Sequence, residues 1–217
     1  YHKDQANVLD HSSISLAFGD DPVRPAQPQN YRIFVGDGNV NGLDATLGWE
    51  YPRYTGHLAY TLSKATSSFP DIFQGRVIPS RDDRRHQLKW INTVHLGKFD
   101  LSGNLIYSSG RPYYNLARIP REWDDRRNGD PDLRQIVSWL PAYFRLDLGA
   151  AYGFSIGSTK AKVGLSVFNL TNHSNVKYLQ YIYSDVFEVG GTEVNTINGS
   201  QTDLLDRTLN LSLEFEF

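Results

Sequence analysis

The chain has 217 residues, enough for one domain with a sizeable core, and its 22 basic and 24 acidic residues nearly cancel, leaving no electrostatic footprint for nucleic acid. It has no cysteine, which excludes disulfides and thiolate metal sites, and no methionine, so a chain opening at Tyr1 reads as a fragment or a trimmed product. No apolar run approaches the roughly 18 residues of a membrane-spanning helix and no signal peptide opens the sequence, but a mean hydropathy of -0.45 still suits a barrel whose strands alternate between lipid and lumen.

Apolar residues recur at period two in segments of about 9–11 residues, the length that crosses a bilayer as a tilted strand. After a partial strand around Tyr1, the first full one sets Leu43, Ala45, Leu47 and Trp49 against Asp44, Thr46, Gly48 and Glu50. Leu58, Tyr60 and Leu62 follow, opposite His57, Ala59, Thr61 and Ser63. Leu88, Trp90 and Val94 face away from Lys89, Thr93 and His95, and Phe99, Leu101, Leu105 and Tyr107 from Asp100, Ser102, Asn104 and Ser108. Leu146, Leu148, Ala150 and Tyr152 then oppose Arg145, Asp147, Gly149 and Ala151, and Val163, Leu165 and Val167 oppose Lys162, Gly164 and Ser166. In the last segment Leu209, Leu211, Leu213, Phe215 and Phe217 alternate with Thr208, Asn210, Ser212, Glu214 and Glu216. The expected fold is all-β: an antiparallel meander of seven or eight strands forming part of a transmembrane outer-membrane β-barrel, with aromatics such as Trp49, Trp90 and Tyr107 towards the rims of its apolar band, where an amphipathic ring can sit at the headgroups.

The connections alternate in length. Tyr51 to Arg53, Gly97 to Lys98 and Ser155 to Thr159 are tight turns. Between them lie long polar stretches, from Asp20 to Val40, Lys64 to Arg85, Gly110 to Pro141 and Thr171 to Asp206. Short periplasmic turns and long extracellular loops are the asymmetry of an outer-membrane barrel. Two alternatives remain open from the residues alone: an independent small barrel with a structural or adhesive role, and a soluble β-sandwich binding module whose apolar faces pack on each other.

The stretch PSRDDRRH from Pro79 to His86, the strand QLKWINTVHLGKFDLSGNLIYSSGRPY that it leads into, FRLDLGAAYGF from Phe144, VGLSVFNLTNHSN from Val163 and the terminal strand ending in Phe217 together resemble the late strands of TonB-dependent receptors from Bacteroidota. The resemblance implies that residues 1–217 are the carboxyl-terminal segment of a barrel of about 22 strands. An amino-terminal plug and the earlier strands would lie outside this sequence. It further implies an outer-membrane receptor that takes up a small nutrient, with the TonB complex engaged through the absent amino-terminal region. Outer-membrane lipid would surround it, and the assembly machinery would read its last strand through Leu213, Phe215 and Phe217. No cofactor is implied.

The charged cluster Asp82, Asp83, Arg84, Arg85 and His86 reads as ion pairs that anchor the start of a strand. His57 and His95 should line the lumen, with no Asp, Glu or Cys at metal-ligand spacing beside either. Asp44 or Asp147 within hydrogen-bond reach of a lumen histidine would point towards a hydrolase. No G-x-S-x-G, H-E-x-x-H, P-loop or dinucleotide fingerprint occurs, and no enzyme is expected. The loop from Gly110 to Pro141 sets Tyr113, Tyr114, Trp123 and Trp139 among six Arg and five acidic residues, aromatic platforms suited to a sugar, a peptide or an iron chelate. The sequons at Asn169, Asn172, Asn198 and Asn210 read as chance, since two fall on expected strands.

Overall fold

The computed structural model describes residues 1–10, 34–70, 75–115, 137–189 and 192–216, and the elements it forms are all β-strands. In chain order the strands are β1 (His2–Asp10), β2 (Phe34–Tyr51), β3 (Tyr54–Ser68), β4 (Ile78–Pro79), β5 (His86–Leu96), β6 (Phe99–Ser108), β7 (Pro112–Tyr114), β8 (Val137–Trp139), β9 (Tyr143–Ile156), β10 (Thr159–Phe168), β11 (Val176–Val189), β12 (Thr192–Asp203) and β13 (Thr208–Glu216).

Eight of them form one antiparallel wall in the order β1-β2-β3-β5-β6-β9-β10-β13, with β4 added to β3. The order is that of the chain, and the strands skipped pair locally within the loops, β7 with β8 and β11 with β12. This is the expected meander, and the partial strand around Tyr1 is a full one paired with β2. β1 and β13 do not pair with each other among the described residues, so the wall is open.

The tight turns fall where proposed. Pro52 and Arg53, Gly97 and Lys98, and Gly157 and Ser158 each join neighbours through two residues. Gly97 and Gly157 have φ of 64° and 61°, the left-handed region where a Cβ is costly, which is why glycine starts both turns.

Three expectations are corrected. β2 and β3 have 18 and 15 residues, more than a bilayer requires, because pairing continues beyond the last apolar row into residues assigned to loops. The stretches from Gly110 to Pro141 and from Thr171 to Asp206 hold the β7–β8 and β11–β12 hairpins instead of irregular chain alone. Trp90, expected at a rim with Trp49 and Tyr107, sits midway along β5, opposite Leu58 and Leu105. Alternation fixes which face a side chain takes; only the strand ends fix its height.

Register brings one parity of each wall strand from β2 to β13 onto one face, while a bulge between Gln5 and Val8 switches the parity within β1. Leu47, Leu58, Trp90, Leu105 and Leu146 lie side by side across five strands, and Leu148, Val167 and Leu209 continue the apolar surface. Trp49 lies across Gly56, its direct cross-strand partner, where an added Cβ would meet the indole at 2.3 Å. Only a hydrogen side chain allows that contact.

Candidate functional site

The apolar face is exposed. Leu47 is 60%, Leu148 44% and Leu211 78% accessible, while Trp49, Leu58, Leu146 and Val163 are half-buried by their neighbours. Only Phe69, Ile78, Leu140 and Ala161 form a buried apolar core among the described residues. A soluble monomer rarely tolerates a contiguous apolar surface beyond a few hundred Å². The sandwich alternative requires these side chains to bury against a second sheet, and they do not. Aromatic residues cluster at both edges of the band, with Trp49, Tyr51, Tyr54, Phe99 and Tyr152 towards the turns and Tyr60, Tyr107 and Phe144 towards the loops. Amphipathic rings take such positions at headgroup level. Asn92 lies within the band, where its Oδ1 accepts a 2.6 Å hydrogen bond from the Tyr54 hydroxyl.

The opposite face is polar. Near the turn end, His95 Nδ1 lies 2.7 Å from Asp100 Oδ1, and Lys162 bonds the second oxygen of the same carboxylate. Lys160 and Glu216 pair at 3.4 Å beside them. A cavity of about 390 Å³ opens here, lined by Lys98, Ser155, Lys160, Lys162, Glu214 and Glu216 among others. His95 therefore has an acidic neighbour that its sequence spacing did not reveal, because Asp100 comes opposite it only through the register of the β5–β6 hairpin. The carboxylates whose approach to a lumen histidine would have signalled a hydrolase are otherwise engaged. Asp44 accepts from the Thr61 hydroxyl at 2.6 Å, and Asp147 accepts the Asn169 amide at 2.9 Å and forms an ion pair with Arg145, whose Nε lies 3.0 Å away. No group of three metal-ligating side chains occurs among the described residues.

At the loop end, buried polar side chains hold the chain where strands begin and stop. Asp83, 2% exposed, accepts the Ala65 amide at 2.7 Å and lies 3.7 Å from Arg85, while Ser63 N–H donates to the Arg85 carbonyl at 3.0 Å. The charged cluster thus pins the start of β5 to β3, as its composition suggested. After β10, Asn169 is fully buried with φ of 51°; its Nδ2 donates to the carbonyls of His173 and Leu205, and its Oδ1 accepts the His173 amide at 3.2 Å. Asn175 pairs with both backbone groups of Phe144, at 2.8 and 2.9 Å. A fully buried Asn169 is a structural group, consistent with reading its sequon as chance.

The aromatic loop residues are placed in part. Pro112 pairs with Trp139 and Tyr113 with Ser138, so Tyr113 alternates to the other side of the small hairpin from Trp139. Trp139 is half exposed, and Tyr114 lies at the end of β7 opposite Val137. Arg111 ties this loop to the next by donating to the Lys177 carbonyl at 2.5 Å. Trp123 and Phe217 lie outside the described residues, whereas Leu213 and Phe215 take the exposed apolar face of β13.

Comparison with known proteins agrees with this geometry. A family model described as TonB dependent receptor-like, beta-barrel, matches residues 1–170. The crystal structure of the ferripyoverdine receptor of the outer membrane of Pseudomonas aeruginosa, bound to ferripyoverdine, superposes with a TM-score of 0.54 at 13% identity. The match covers 98% of this chain and 23% of that one, so the chain spans about a quarter of the receptor it resembles. No curated protein matches the sequence.

Proposed function

The chain belongs to the TonB-dependent receptor β-barrel family, and from that premise we propose that residues 1–217 form a carboxyl-terminal stretch of the wall of a nutrient receptor in the outer membrane of a Gram-negative bacterium. The observation that carries the reading is the two-faced wall, apolar and exposed outside, charged and polar inside. Lipid covers the first face, and the second lines a lumen through which a polar solute can move. The loops at the far end from the tight turns capture a small nutrient, with Tyr113, Tyr114, Trp123 and Trp139 as the aromatic contacts. Energy arrives from the TonB complex through a plug upstream of this segment, and the assembly machinery recognises Leu213, Phe215 and Phe217.

Trp90 tests the membrane reading, because it is exposed at mid-strand on the outer face. In the reconstituted receptor, lipids brominated near the middle of the acyl chain should strongly quench its fluorescence. Quenching by aqueous acrylamide instead would place that face in water, and the transport role would fall with it. For the loop, sugars, peptides and iron chelates screened against Trp139 emission in a Trp90→Phe receptor should reveal one responsive class. Unchanged emission during demonstrable uptake of a ligand would remove Trp139 from contact.

A further inference from the structure

The apolar outer face ends in a basic patch. On β3, Leu58, Tyr60 and Leu62 share the outward parity, and the next outward residue is Lys64, opposite Asn41 of β2. On β5, the outward residue opposite Leu62 is His86, whose Nδ1 lies 2.8 Å from the Tyr60 hydroxyl. Arg84 sits alongside, its carbonyl 3.2 Å from Ser63 Oγ and its side chain exposed. Neither Lys64 nor Arg84 has an acidic partner among the described residues. The nearby carboxylates are otherwise occupied: Asp83 is buried beside Arg85, Asp82 lies 3.8 Å from Arg111, and Asp4 accepts from Asn39 at 2.7 Å and contacts His2.

Two residues along a strand move a side chain about 7 Å. Lys64 therefore stands one outward step beyond the last lipid-facing leucine, at the depth of headgroups, with Tyr60 and His86 at the boundary below it. A long cationic side chain there lays its stem on the apolar surface and extends its charge into the polar layer. A lysine and an arginine on neighbouring strands, with no counter-ion among the described residues, are chemically suited to a phosphate, the arginine through paired N–H donors.

We infer that Lys64 and Arg84, with His86 beneath them, form an outward-facing site for the phosphorylated headgroup of a lipid in the leaflet that surrounds the loop end of the barrel. The inference rests on the membrane reading above. The occupant is a membrane lipid because the apolar rows end directly beneath the site, so an acyl chain and a phosphate on one molecule meet both surfaces at once.

The test uses the whole receptor in phosphatidylethanolamine nanodiscs, with phosphatidic acid as probe and native mass spectrometry counting retained lipid. Lys64→Gln with Arg84→Gln should weaken retention of phosphatidic acid relative to phosphatidylethanolamine about fivefold per cation removed, roughly twenty-fivefold together. Lys98→Gln, at the turn end, should leave it unchanged, and the charge-preserving Lys64→Arg with Arg84→Lys should retain most of it. Equal retention by wild type and the double glutamine variant, an equal loss in Lys98→Gln, or displacement by inorganic phosphate at the concentration of the lipid each overturns the site. Quenching of Trp90 by brominated lipid, read on the same samples, separates the failures. Trp90 unquenched in every protein removes the membrane reading and this site together; Trp90 quenched with no dependence on the two cations removes the site alone.

Discussion

The two ends of the wall stop their strands by different physics. At one end two residues suffice, and the constraint is local: Gly97 and Gly157 supply a left-handed residue in two of the three turns, and Pro52 with Arg53 closes the third without one. At the other end the strands part into long connections, and the constraint is remote. Asn169 and Asn175 after β10, and Asp83 before β5, are buried side chains that satisfy backbone groups elsewhere, Asn175 on Phe144 of β9, Asp83 on Ala65 of β3, and Asn169 on His173 nearby and on Leu205 between β12 and β13. A turn can be exchanged for another turn of the same geometry. A buried amide that satisfies several backbone groups has few substitutes, since each orphaned group costs about 1–3 kcal/mol.

Three variants sharpen the contrast, and the largest effect is expected where the last strand returns to the turn end. Phe217→Asp should lower the amount of receptor in the outer membrane several-fold while leaving the ligand affinity of the assembled fraction nearly unchanged. Fractionation and immunoblotting read the first quantity, and unchanged membrane levels would leave the terminal aromatic with a packing role only. Next, Asn169→Leu removes the partners of both the His173 amide and two carbonyls, and should destabilise the assembled barrel by about 3 kcal/mol or more. The midpoint of guanidinium unfolding in detergent measures it; a loss below that of an exposed loop substitution would show that water replaces the amide and that the loop end is not held as described. The smallest effect is expected at the opposite turn, where Gly97→Val places a β-branched residue at φ of 64° and should cost about 1–2 kcal/mol by the same measurement. A larger cost there than at Asn169 would reverse the ranking of the two ends.

Much of the wall was legible because period two is a property of the chain itself. A strand that separates lipid from a polar lumen must alternate, so Leu209, Leu211, Leu213 and Phe215 declared both a strand and its faces before any partner was known. The turns were legible for a similar reason, as glycine beside a polar residue between two alternating runs has few other uses. The β11–β12 hairpin escaped notice because outside the membrane neither face must be uniformly apolar, and the alternation that marks a wall strand fades. The reach of β2 beyond Leu43 was hidden for the same reason: past the last apolar row, Asn41 and Asn39 keep pairing with β1 without an apolar partner to announce it.

Sequence by itself determined the class of fold, the order of the strands and which residues face outward, since each follows from alternation and connection length along one chain. Tertiary structure alone decided which polar groups meet. Asp100 finds His95 and Lys162 because four strands, β5, β6, β9 and β10, are held in one register, Asn169 reaches Leu205 across 36 residues, and the Arg84 backbone is brought to β3 because Ser63 bonds its carbonyl. Hydrogen bonds and ion pairs act over about 3 Å, and distances of that size between residues far apart in sequence are set by the assembled sheet.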